Sequence, residues 1–194
     1  MARRWDPHRR DRIIDTALEC IAEHGVAGTT HRVLAARCDV PLGSMTYHFS
    51  GMDELLLEAF GRYAARVRDM VSARLDQELE TEAAIEAVVA LIHDDFQGDV
   101  TGGVISYELY ALASRRPEFR PFTHDLIDVG LTALRRHFTE DAARAINTYI
   151  EGVSTHLVID TQPPTVSHTR ETIRRLASGS AVVSATSSAQ SAVQ

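Results

Sequence analysis

Between Thr29 and Phe49 the chain reads TTHRVLAARCDVPLGSMTYHF, a stretch whose side chains suit contact with nucleic acid. The hydroxyls of Thr30, Ser44 and Thr46, the phenol of Tyr47 and the imidazole of His48 are groups that meet phosphate oxygens or base edges. Leu42 can offer an apolar contact to a thymine methyl. Gly43 brings backbone close with no side chain in the way. Arg32 supplies positive charge beside the stretch. Arg9 and Arg10 supply more, within a basic N-terminal group that includes Arg3, Arg4 and Arg12. This division of chemistry assigns Ser44 and Thr46 to base edges. Thr30, Tyr47 and His48, with Arg32, Arg9 and Arg10, are assigned to phosphates.

A second set of polar residues interrupts apolar stretches further on. Tyr107, Glu108 and Tyr110 punctuate a strongly apolar run, His93 flanks Ile92 and Phe96, and Asn147, Tyr149 and His156 share one later segment. In an apolar cavity such groups orient a small molecule; singly, each reads equally as a hydrogen-bonded core residue. Glu108 can also cap its helix or pair with Arg115 or Arg116. Metal and catalytic chemistry find little support. His93, Asp94 and Asp95 are adjacent, so on a helix they point in three directions. No HExxH, CxxC, phosphate-cradling glycine loop or nucleophile elbow is present. No catalytic residue, metal ligand or cofactor is therefore expected, and the chain is not read as an enzyme.

The elements that must position these groups are helical. Thr29 or Thr30 can cap a helix through Arg37, and Asp39 falls where that helix must end in a left-handed residue, a conformation Asp tolerates. Pro41 suits the first turn of the next helix, which runs to His48. Together these make a helix-turn-helix, with Pro41–His48 as the recognition helix. A preceding helix, Pro7 to His24 with Gly25 as its C-cap, completes a three-helix core of Ile14, Leu18, Ile21, Leu34, Val40, Met45 and Phe49. Later helices are expected over 52–77, 81–96, 104–114, 117–138 (interrupted near Pro121), 140–159 and 165–177. Gly98, Gly102 and Gly103 are read as a helix break. No alternating strand pattern of useful length occurs. The fold class is all-α: an N-terminal three-helix bundle with the helix-turn-helix (1–51), a C-terminal helical domain (52–178), and a disordered Ser/Ala-rich tail (179–194). Residues 1–7 read as a flexible arm.

The formal net charge of −7 looks wrong for a DNA binder, but its distribution resolves the conflict. The first fifty residues hold seven Arg against six acids, and the remainder thirteen against twenty-one. A local basic face matters to DNA more than the average. No apolar run approaches the ~18 residues of a membrane span. The N-terminus lacks the apolar region of a secretory signal. Cys20 and Cys38 are too few for a disulfide framework, which fits a reducing compartment. These three observations lead to an expected cytoplasmic location without a membrane partner.

The stretch from Thr29, continued by SGMDELLL, resembles the TetR family of one-component transcriptional regulators. Thr29, Thr30, Ala35, Ala36, Val40, Gly43, Tyr47, Phe49, Leu55 and Leu56 carry the resemblance, over about a quarter of the chain. Asp39 stands in place of the usual turn glycine, Leu42 where Lys is common, Thr46 where Tyr is common and Met52 where Lys often meets phosphate. The resemblance implies a homodimer built from the last two helices of each subunit, a palindromic double-stranded DNA operator, and a C-terminal domain that binds a small-molecule effector. It also strengthens the cavity reading, for which His93, Tyr107, Tyr110, Phe122 and Tyr149 are the expected lining. The implied function is a repressor released from DNA by its effector. Two alternatives remain open: a DNA-binding dimer without an effector, and an all-α enzyme or interaction module that has lost DNA binding. Gly152 and the apolar Val153, Leu157 and Leu176 are read as the dimer face.

Overall fold

This computed structural model describes residues 7–77 and 79–179. Of the arm expected over residues 1–7 all but Pro7, and of the tail expected over 179–194 all but Gly179, lie outside the described residues. Among those described, nine α-helices and no strand occur.

Helix α1 (Arg9–Gly28) is interrupted at Gly25, whose φ of 69° only glycine adopts freely. Thr29 folds back, donating its hydroxyl to the Gly25 carbonyl at 2.9 Å. Thr30 caps α2 (His31–Arg37) by accepting the Val33 N–H at 3.3 Å. Asp39 takes the left-handed turn position with φ 51°. Pro41 is the N-cap of α3 (Leu42–His48), one residue before the expected first turn. Helix α4 (Met52–Leu75) follows and lies against α1. Arg62 of α4 bridges Asp11 and Asp15 of α1 at 2.5 and 2.9 Å. All seven residues expected in the N-terminal core are buried except Val40, which packs against it half-buried.

In the second half α5 (Thr81–Ala90) continues into a π turn, Leu91–Phe96, where the Gln97 N–H reaches the Ile92 carbonyl at 3.0 Å. Helix α6 (Val100–Arg115) starts earlier than the glycines suggested. Asp99 caps it by accepting the Gly102 N–H at 2.8 Å, so Gly102 and Gly103 lie in its first turn and do not break it. A 3-10 turn at Pro117–Phe119 precedes α7 (Arg120–Leu134). The expected interruption thus falls before Pro121, which sits early in α7 where a missing N–H costs nothing. Thr139 caps α8 (Glu140–Ile159) and Thr165 caps α9 (Val166–Ala177). No helix among the described residues is long and apolar enough to cross a membrane.

Two apolar clusters hold these helices. The first joins α1–α4 with Ile105, Leu109 and Leu112 of α6 and with Phe119, so the N-terminal core continues into the second half of the chain. Phe49, Phe60 and Phe119 are fully buried in it, each burial favouring the fold by roughly 1.5–3 kcal/mol. The second cluster joins the end of α4 with α5, α7, α8 and α9. It corrects one expectation: Val153 is buried in this cluster and Leu157 and Leu176 pack on it. That apolar stripe faces its own chain, whereas Gly152 lies on the outward side of α8 with Arg144, Thr148 and His156, and an added Cβ on it would meet nothing within 4 Å.

Candidate nucleic-acid interface and internal cavity

Helix α3 is anchored on one side and bare on the other. Met45 and Phe49 are buried, while Leu42, Gly43, Thr46 and Tyr47 face outward. Tyr47 is 83% exposed and Leu42 49%, unusual for large side chains with apolar surface to bury. An added Cβ on Gly43 would touch nothing within 4 Å, so its backbone is open to a close approach. Thr46 donates its hydroxyl to the Gly43 carbonyl at 3.2 Å, leaving its oxygen lone pairs to accept from outside. Thr30 has the complementary state: its oxygen accepts from Val33, and its hydroxyl proton can be given to a phosphate. Arg32 is exposed at the start of α2, and His48 is half-buried at the end of α3.

Two residues depart from expectation. Ser44 is 1% exposed. It follows the bare Gly43 by one residue, and the 100° step between neighbours on a helix turns it inward, so it cannot reach a base edge. Arg10 is tied across to α4, bridging Glu58 and lying 3.6 Å from Glu54, with its guanidinium 5.0 Å above the Phe49 ring. In this arrangement it braces α1 against α4. Arg9 is half-buried on the first turn of α1.

The second site is a cavity of about 940 Å³, counting its part open to solvent, between α4, the π turn, α6, α7 and α8. Each wall follows helical spacing: Tyr63, Val67, Met70 and Val71 on α4, Ser106, Tyr107 and Tyr110 on α6, Asn147, Glu151, Ser154 and Val158 on α8. Two glycines let the walls approach. A Cβ on Gly103 would lie 2.4 Å from Val158 and one on Gly130 2.2 Å from Asn147.

The polar groups of the cavity are mostly committed. Tyr63 donates to the Gly102 carbonyl at 2.9 Å, with the Ser106 hydroxyl 2.5 Å from its oxygen; burial pushes its pKa up to about 12. Tyr110 donates to Glu151 Oε2 at 2.9 Å, and burial holds its proton firmly. Burial also raises the Glu151 carboxyl above the usual carboxylate range, against the opposing pull of the Tyr110 hydrogen bond. The buried Tyr107 hydroxyl has no hydrogen-bond partner.

Of the expected lining, Tyr107 and Tyr110 are at the cavity and three residues are not. His93 turns toward α9, its Nε2 2.9 Å from the Thr169 hydroxyl. Phe122 packs beside Gly61 against the first cluster, and Tyr149 against the second. Their helices border the cavity, but these positions lie off the facing side. Glu151, Tyr63 and Asp99 escaped the sequence reading. The signal for Glu151 was its place four residues after Asn147, on the same face of α8. Among the described residues no three His, Cys, Asp or Glu gather in a metal-binding group.

Helix α6 joins the cavity wall to α1 of the N-terminal bundle. Glu108, next to Tyr107, turns away from the cavity and accepts the Val26 N–H at 2.8 Å, just past the Gly25 interruption. It neither caps α6 nor pairs with Arg115 or Arg116. Arg116, immediately after α6, instead bridges Asp53 at the start of α4 at 2.8 Å and holds that carboxyl below its ordinary pKa.

Comparison with known proteins agrees with this architecture. The family model described as bacterial regulatory proteins, tetR family, matches residues 13–59, and that of the tetracyclin repressor-like C-terminal domain matches residues 79–179. The HTH-type transcriptional regulator BetI of Cronobacter sakazakii is 25% identical over 167 residues, covering 81% of this chain and 83% of that protein. A transcriptional regulator of Streptomyces coelicolor A3(2), SCO7518, superposes with a TM-score of 0.79 at 38% identity, over 88% of this chain and 99% of that one. The multidrug binding protein EbrR, solved with ethidium, superposes with a TM-score of 0.74 at 33% identity, over 89% of this chain and 99% of that one.

Proposed function

The chain belongs to the TetR family of bacterial regulatory proteins, and on that premise we propose how this regulator couples an effector to DNA. It acts as a homodimeric repressor. The outward face of α3 enters the major groove, and the two copies read half-sites about one helical turn, or 34–36 Å, apart. Thr46 and Leu42 meet base edges, Gly43 permits the close approach, and Tyr47, His48, Thr30, Arg32 and Arg9 hold phosphates. The dimer forms across α8 and α9 around Gly152. It is a regulator and not an enzyme, in keeping with the regulators it resembles, and it works in the cytoplasm. Residues 1–51 serve the DNA, and 52–178 serve the effector and the dimer.

The observation that carries the coupling is that α6 walls the cavity with Tyr107 and Tyr110 while gripping α1 through Glu108. Helix α4 makes the second connection, running from the end of the DNA-reading motif into the cavity wall. An effector that fits the cavity better with α6 displaced draws the population toward a spacing of recognition helices that misfits the operator. Such coupling is typically worth about 1–3 kcal/mol, or roughly 5–150-fold in operator affinity. The ethidium complex of EbrR supports a cavity of this architecture taking a bulky organic molecule.

The test starts from duplexes selected by the protein from a random pool. Thr46→Ala should weaken binding to the selected duplex by about 1–3 kcal/mol and relax preference at one position per half-site. Arg32→Ala should weaken selected and scrambled duplexes alike and flatten the salt dependence. Retention without sequence preference at any salt concentration would refute the proposal.

A further inference from the structure

The cavity has a charge character of its own. Two carboxylates, Asp99 and Glu151, lie in its wall with four aromatic rings, Tyr63, Phe96, Tyr107 and Tyr110, and no Arg or His is part of it. The chain contains no lysine at all. Asp99 is partly spent, since its Oδ1 accepts the Gly102 N–H. Glu151 is the conspicuous group: a carboxyl well inside the protein whose side chain meets one donor, the Tyr110 hydroxyl. A carboxylate removed from water without a counter-charge is costly. The Tyr and Phe faces present negative quadrupoles to whatever lies between them, and that too favours positive charge.

We propose that the effector is a bulky apolar organic cation, a quaternary ammonium, phosphonium or delocalised dye-like ion, with Glu151 as its counter-charge and the tyrosine rings around its apolar body. This rests on the reading of the cavity as the effector site and specifies what enters it. Val67, Met70, Leu126 and Ile150 take the apolar bulk. The unpartnered Tyr107 hydroxyl is available to a polar substituent. A small hydrated metal ion gains little from so apolar a wall, and an anion faces two carboxylates. Burial raises the Glu151 pKa, and an arriving cation opposes that shift, so the site becomes most fully charged when it is filled.

The experiment uses three probes of nearly one shape: tetraphenylphosphonium, a cation; tetraphenylborate, an anion; and triphenylphosphine oxide, which is neutral. Each is titrated calorimetrically into the full-length protein and into Glu151→Gln, whose fold is checked by circular dichroism. The phosphonium should bind the unaltered protein about tenfold or more tighter than either other probe, and Glu151→Gln should remove most of that margin. Equal or tighter binding of the borate or the oxide would overturn the proposal, as would a phosphonium preference that survives undiminished in Glu151→Gln. Failure of all three to bind would overturn it as well. A parallel anisotropy measurement on the selected operator separates this inference from the reading beneath it. Selective, Glu151-dependent phosphonium binding that leaves operator affinity unchanged would keep the cation site and refute its role as the regulatory effector site.

Discussion

Truncating Glu108 to alanine should loosen the grip of α6 on the DNA-binding helices. The Val26 N–H is an orphan donor because Gly25, at φ 69°, breaks the helical ladder that would have satisfied it. Glu108 Oε2, 2.8 Å away, is its acceptor across 82 positions of sequence. A hydrogen bond to a charged group is worth about 1.5–3 kcal/mol; the site is only part-buried, so water recovers some of the loss and we expect about 1.5–2 kcal/mol. At fixed protein concentration, that lowers Tm by roughly 3–8 °C for a chain of this size. Glu108→Gln keeps a carbonyl oxygen in place and should lose less than half as much. The second readout is operator affinity with and without a cavity ligand. In Glu108→Ala the ratio of the two should shrink toward one, while calorimetry still shows the ligand bound. If Glu108→Ala lost stability but kept the full ratio, α6 would be a brace only, and coupling would have to run through α4. If it lost neither, the reasoning from this hydrogen bond would be wrong.

Three other substitutions probe separate features. Gly43→Ala should leave stability unchanged or slightly improved, because the new Cβ meets nothing within 4 Å, yet weaken operator binding about tenfold or more by holding the backbone away from the groove, as anisotropy would show. At Gly152, too, an added Cβ meets nothing within 4 Å; for Gly152→Arg light scattering should find monomers while far-UV helicity persists, and a dimer of unaltered stability would move the interface elsewhere. Glu151→Gln should be more stable than the unaltered protein at neutral pH. The folded-state pKa of Glu151 lies above the unfolded one, so the native state holds its proton longer and stability falls as pH rises through that window. In urea titrations the advantage of the variant should therefore appear above the ordinary carboxylate range and vanish below it; an advantage independent of pH would contradict the assigned cause.

What could be foreseen followed the range of the interactions. Thr30 as a cap, Asp39 at a left-handed turn and the buried face of α1 are settled within a few residues, and each was legible from the sequence. Gly102 and Gly103 were misjudged because glycine signals a break only when no cap precedes it, and Asp99 supplies one. Ser44 was placed outward by its hydroxyl, but side-chain chemistry says nothing about which way a helix is rotated; Met45 and Phe49 decided that. Glu108 and Glu151 depend on partners 82 and 41 residues away. No local pattern names such partners, although the spacing of Asn147, Glu151, Ser154 and Val158 would have revealed that they share a face. The apolar residues of α8 and α9 were legible as a stripe, but a stripe does not say whether its own chain or a second copy covers it.

The apolar cluster that runs from α1 into α6 bears on how such proteins can be recombined. A sensor exchanged at residue 52 would arrive with a foreign α6, and Ile105, Leu109 and Leu112 would be replaced by side chains that never met Ile13 or Leu18. The hybrid would inherit a DNA reader with a mismatched floor, and its response would be blunted even if both halves folded. Grafts that carry α1, α4 and α6 together, and exchange only the far walls on α7 and α8, would keep that floor intact. New ligand preferences are therefore more readily selected from variation on α7 and α8 than from wholesale replacement of the second half.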